Sequence, residues 1–162
     1  MRIGVVPLCG MLLGLLATSP PQAVSQEAAK ASKLEVRLNY SGSGTVDEKH
    51  KIYVVLWDSP EFVKGGAPPV EVQPSTSKQG TVTFADVKTS PAYISAAYDP
   101  KGEWDAQSPP PDGSSLGLYY KTPGTPAPID MKPGTTVTID LSFDDSVKMQ
   151  SGKAARQAPS AH

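Results

Sequence analysis

Between residues 34 and 143, apolar and polar residues alternate in short runs separated by turn-forming residues. Leu34-Glu35-Val36-Arg37-Leu38-Asn39-Tyr40 alternates with period two, which predicts a strand with one buried and one wet face. Ser41-Gly42-Ser43-Gly44 then makes a turn. Ile52 to Trp57 (IYVVLW) is apolar on both faces and rich in β-branched and aromatic residues. Such a run suits a central strand covered on both sides. Asp58-Ser59-Pro60 ends it. Val70-Glu71-Val72 makes a shorter strand, confined to an edge by the prolines at 68, 69 and 74.

Gly80 to Val87 alternates again, with Val82 and Phe84 inward, and Pro91 to Tyr98 reads as the next strand. A long loop runs from Asp99 to Ser115. Leu116 to Tyr120 and Pro128 to Met131 are short strands, and Thr135 to Phe143 sets Val137, Ile139, Leu141 and Phe143 on one face. The 14 glycines and 17 prolines fall mostly between these runs. The pattern predicts an all-β fold, an antiparallel β-sandwich of seven or eight strands over residues 34–146. Its expected core is Val36, Leu38, Ile52, Val54, Leu56, Val82, Phe84, Tyr93, Ile94, Val137, Ile139, Leu141 and Phe143.

The chain ends read differently. Arg2 precedes an uncharged run from Ile3 to Ala17, and Ala23-Val24-Ser25 fits an A-x-A-like cleavage pattern. Residues 1–25 thus have the anatomy of a signal peptide. The run is shorter than the roughly 20 residues a membrane-spanning helix needs, and Pro7 interrupts it. A periplasmic or secreted protein with no membrane span after cleavage is expected. Residues 26–33 read as a flexible segment and 147–162 as a disordered tail. The sole cysteine, Cys9, lies within the leader, which excludes disulfides, thiolate metal sites and a cysteine nucleophile from the rest. Without Arg2 the 15 basic residues become 14 against 16 acidic, a formal net charge of −2. No basic stripe is present to displace counterions from a phosphate backbone, which argues against nucleic acid as a partner.

The order of these segments carries a family resemblance. An alternating strand leads into Tyr40-Ser-Gly-Ser-Gly-Thr, and Asp47-Glu-Lys-His50-Lys precedes the IYVVL strand. Gly80-Thr-Val-Thr-Phe-Ala-Asp-Val87 and Pro91-Ala-Tyr-Ile-Ser-Ala-Ala-Tyr-Asp99 follow, and Thr-Val-Thr-Ile-Asp-Leu-Ser-Phe-Asp closes the domain. This resembles the transthyretin-like, or carboxypeptidase-regulatory-like, modules of exported bacterial proteins over most of residues 34–145. Ser90-Pro91 stands where those modules carry a glycine before the tyrosine strand. The resemblance implies a seven- or eight-stranded sandwich of the kind used as accessory domains, stalk segments and sometimes carbohydrate-binding modules. Some enzymes share this layout. Ring-cleaving iron dioxygenases of similar layout need two histidines and two tyrosines, and transthyretin-like hydrolases need several His and Arg. Here His50 is the only histidine and Arg37 the only arginine between 34 and 146, which argues against both.

Two loops and one turn hold candidate chemistry. In Asp99-Pro-Lys-Gly-Glu103-Trp104-Asp105, the carboxylates of Asp99, Glu103 and Asp105 could hold calcium, with Asp112 as a fourth. The resemblance points the same way, because related modules often carry a calcium-like loop here. Pro100 and Lys101 replace oxygen donors, however, and leave the ligand count short of six. The preferred reading is a solvated loop with Asp99 capping a turn, and no cofactor. Trp104, Tyr119 and Tyr120, with Asp105, could stack on and hydrogen-bond a sugar, although packing against the domain accounts for the same rings. His50 sits in the charged turn 47–51 without a nucleophile beside it in sequence, and Glu103 with Asp105 is too little to argue glycoside cleavage. The expected function is a non-catalytic module with a structural or protein-interaction role at the cell envelope. The alternative is a carbohydrate-binding module, so the partner is a protein or a polysaccharide.

Overall fold

The computed structural model describes residues 31–150. The expected leader 1–25, residues 26–30 of the adjoining segment and residues 151–162 of the tail lie outside the described residues. The described chain is all-β, with strands β1 (Lys33–Tyr40), β2 (Ile52–Trp57), β3 (Glu71–Ser75), β4 (Gln79–Phe84), β5 (Tyr93–Tyr98), β6 (Ser115–Leu118), β7 (Tyr120–Thr122), β8 (Thr125–Pro126) and β9 (Thr136–Phe143). They form a three-stranded sheet in the order β4-β1-β9, a four-stranded sheet in the order β3-β2-β5-β6, and the β7-β8 hairpin. Pro123-Gly124 turns that hairpin, with Gly124 at φ 77° in the left-handed region that glycine tolerates.

The two larger sheets share one core. Leu34, Val36, Leu38, Tyr40, Val82, Phe84, Ile139 and Leu141 from one sheet meet Ile52, Val54, Leu56, Ile94, Ala96 and Tyr98 from the other. Alternation therefore sorted the faces of β1, β4 and β9 in the manner two-periodicity requires. Three expectations for the core change. Val137 and Phe143 are only partly buried. Tyr93 is buried outside the shared core, because neighbours on a strand point to opposite faces and Ile94 takes the inward one. β2 is apolar on both faces because its outer face is also covered. Phe62, from a 3₁₀ helix over Pro60–Lys64, stacks on Trp57 at 4.6 Å and 8°, and Trp104 meets Tyr53 edge-on at 4.8 Å and 78°.

Strand direction also differs from expectation. β1 and β9 pair in parallel, Lys33 opposite Thr136 and Tyr40 opposite Phe143, so the sheets are not purely antiparallel. Periodicity fixes the face a strand buries and says nothing of its neighbour's direction. A parallel neighbour needs a long crossover, which the chain between these strands supplies. Pro128–Met131 forms no strand and contributes only the bridge Ala92↔Ile129. Residues 147 to 149, assigned by sequence to the tail, run beside β6. The Leu116 and Met149 amides donate to the carbonyls of Val147 and Ser114, both at 2.8 Å. Among the described residues no helix is long and apolar enough to cross a membrane.

Candidate functional site

The acidic loop after β5 is organised around Asp99, which is 1% exposed. One oxygen of its carboxylate accepts the Lys101 amide at 3.0 Å, and the other accepts those of Glu103 and Trp104, both at 2.7 Å. Asp105 is exposed and turns to the next bend, accepting the amides of Gln107 and Ser108 and the Ser108 hydroxyl. Those bonds, the Gln107 amide first, hold its carboxyl below the usual carboxylate range. Glu103 is exposed. Asp99 and Asp105 thus serve separate turns while Glu103 faces solvent, and among the described residues no group of three His, Cys, Asp or Glu gathers to hold a metal.

Trp104 is 9% exposed, with its indole N–H donated to the Ser108 carbonyl at 2.9 Å and its own carbonyl accepting the Tyr53 hydroxyl at 3.1 Å. Tyr119 is partly buried against the core, its amide donating to the Ile94 carbonyl at 3.0 Å. Tyr120 is 50% exposed on β7. Tyr119 sits beside Ile94 near the start of β5, whereas Trp104 packs on Tyr53, which pairs with Ala97 three residues further along, roughly 10 Å of strand. The structure does not bring the three rings together as one platform. His50 lies in a closed turn, its Nδ1 3.0 Å from an Asp47 oxygen that also accepts the Lys49 and His50 amides.

A polar knot at the far end of β1 and β9 went unread in the sequence. The Asp145 carboxylate accepts the hydroxyls of Tyr40 at 2.5 Å and Ser115 at 2.6 Å on one oxygen. On the other it accepts the amide and hydroxyl of Ser43 at 2.9 and 3.0 Å. Ser115, then Tyr40 and Ser43, hold its carboxyl far below the usual range. Burial, then the Asp145 acceptor, pushes the Tyr40 hydroxyl up to about 12. A carboxylate offers about four acceptor directions, and all four are filled by the protein. The cluster is a fastening rather than a binding site. The signal that would have found it is register: pairing Tyr40 with Phe143 brings the second residue after β9 to the end of β1.

The remaining candidate is a groove of about 450 Å³ at the opposite end, between the start of β3 and the connection from β4 to β5. Buried Leu56 and Val87 line it, and Val70, 51% exposed, stands at its edge. The Val70 amide donates to the Leu56 carbonyl at 2.8 Å and the Val87 amide to the Ser32 carbonyl at 2.9 Å, which ties both walls to the sheets. Asp58, Glu71 and Asp86 surround the opening with one cation, Lys88, which pairs with Asp86 at 3.3 Å. Among the described residues neither Asp58 nor Glu71 has an ion-pair partner. The groove therefore sets one half-exposed valine, Val70, beside surplus negative charge, with the Glu71 carboxylate accepting the Gln73 side-chain amide at 2.6 Å.

Comparison with protein-family profiles, curated proteins and solved structures finds no match for this chain.

Proposed function

We propose that this chain is an exported, non-catalytic β-sandwich module with a structural or protein-interaction role at the cell envelope. One observation carries the reading. The Asp99 and Asp105 carboxylates spend their acceptors on their own loops, whereas the surface beside β3 carries half-exposed Val70 and three carboxylates, Asp58, Glu71 and Asp86, with one lysine among them. Export rests on the charged start, apolar run and cleavage pattern of residues 1–25. The transthyretin-like resemblance over residues 34–145 supports a module held by its core.

The carbohydrate-binding alternative draws on Trp104, Asp105, Tyr119 and Tyr120, of which Tyr120 offers a half-exposed ring. Two experiments test the reading. Expression of the full chain in a bacterial host, followed by fractionation and N-terminal sequencing, should find a periplasmic or secreted product beginning near Gln26. A polysaccharide array probed with that product should give no signal. Binding that Tyr120→Ala abolishes would move the assignment to the sugar reading.

A further inference from the structure

The three-stranded sheet ends at β9, and the register on β1 tells which backbone groups of β9 are spent. The Lys33 amide donates to the Thr135 carbonyl at 2.9 Å and the Ser41 amide to the Phe143 carbonyl at 3.0 Å, with an unbroken parallel register between them. Odd-numbered residues of β9 therefore turn their amides and carbonyls to β1. Thr136, Thr138, Asp140 and Ser142 turn theirs outward. Among the described residues no backbone bond reaches those outward groups. The other sheet edges are blunted. β3 holds Pro74, β6 is flanked by residues 147–149, and β4 holds Gly80 at φ 154° and is bent off by Asp86 at φ 56°. β9 has no proline, glycine, lysine or bulge over eight residues. An open edge of that length is a template for another strand.

The strand that fits is β9 itself. A second copy laid antiparallel about Ile139 sets Thr136 opposite Ser142 and Thr138 opposite Asp140, so all the outward groups are bonded. Val137 and Phe143, the two inward residues of β9 left partly buried, then lie diagonal to each other across the pair, within reach of an aromatic ring. Phe143 packs against Gly117 of β6, and Val147, 56% exposed, runs beside β6 on the same flank, which extends the apolar surface. Sliding the copies by two residues would set Asp140 against Asp140 or leave Ser142 opposite a residue outside β9. The one charge on the edge, Asp140, has Arg37 at 3.7 Å.

We infer that two copies of this chain join through β9, merging their three-stranded sheets into one continuous sheet across a two-fold axis. The inference rests on the fold and goes beyond the module reading.

The test is sedimentation equilibrium of the exported product from about 10 μM to about 1 mM, where mass action should raise the dimer fraction. Amides of Thr138, Asp140 and Ser142 should exchange with deuterium more slowly as concentration rises. Thr138→Pro deletes an amide that faces away from β1, so it should abolish the dimer and keep the wild-type circular dichroism. Thr138→Glu places like charges opposite Asp140 at two symmetric positions and should weaken the dimer about tenfold, and Thr138→Lys should tighten it about tenfold. A monomer at every concentration would overturn the inference and leave the module reading standing. A dimer that Thr138→Pro leaves intact, or one that Thr138→Glu and Thr138→Lys change alike, would overturn the assignment to this edge.

Discussion

Replacing Asp145 with alanine is the sharpest test of how the domain is closed. The change strips the acceptor from two buried hydroxyls, Tyr40 at 2% and Ser115 at 0% exposure. Each buried hydroxyl left unpaired costs roughly 1–3 kcal/mol. The Ser43 groups are exposed and can turn to water, and the Lys148 contact at 3.6 Å is exposed enough to add little. The expected loss is therefore about 3 kcal/mol, on the order of 10 °C in Tm for a domain of this size. Urea melts of wild type and variant at pH 7 would measure it. Asp145→Asn keeps one oxygen acceptor and should lose about half as much. The sign of the acid response follows from the same bonds. Because the folded carboxyl titrates below its unfolded value, its stabilisation is present above about pH 4 and is lost as pH falls below that. Asp145→Asn should flatten that part of the stability curve. An alanine variant within about 1 kcal/mol of wild type, with an unchanged urea slope, would refute the reasoning.

Three further outcomes follow from the same packing. Gly42→Ala places a methyl 2.3 Å from the Tyr40 ring, which Tyr98 and Phe143 hold at 5.0 and 4.8 Å, so it should cost roughly 1–3 kcal/mol in urea melts. Asp99→Ala removes the acceptor of three amides and should erase the near-ultraviolet circular dichroism of Trp104 and red-shift its emission; an unchanged spectrum would count against the loop's dependence on that carboxylate. With the Tyr40 hydroxyl raised to about 12, its contribution is intact below pH 10 and lost as pH rises from 10 towards 12. Stability should fall there by up to about 1.4 kcal/mol per pH unit, and Tyr40→Phe should reduce the slope.

How much of this was readable from residues alone depends on the range of the physics involved. The faces of β1, β4 and β9 were legible because burial alternates residue by residue, and Leu34, Phe84 and Leu141 lie where that rule puts them. The edge position of β3 was legible from Pro74, which has no N–H to give a second neighbour. The limits of β4 were not, since Asp86 takes a φ of 56° and bends the chain away after Phe84. The parallel pairing of β1 with β9 leaves no trace in either strand's composition. The knot at Asp145 was hidden for the same reason, being built from Tyr40, Ser43, Ser115 and Asp145 on three distant stretches. The groove was hidden too, because Asp58, Glu71 and Asp86 each look like ordinary turn residues until the fold sets them around one opening.

The parallel placement of β1 and β9 also has a mechanical consequence. Chain enters β1 at Lys33, and β9 leaves at Phe143, on opposite poles of one strand pair about eight residues long. Tension between a tether on one side and a load on the other would slide these strands along each other. All their cross-strand bonds would then have to rupture together rather than peel one at a time. Roughly 25 Å of extended strand separates the two poles, so such a unit would serve as a stiff spacer that resists stretching.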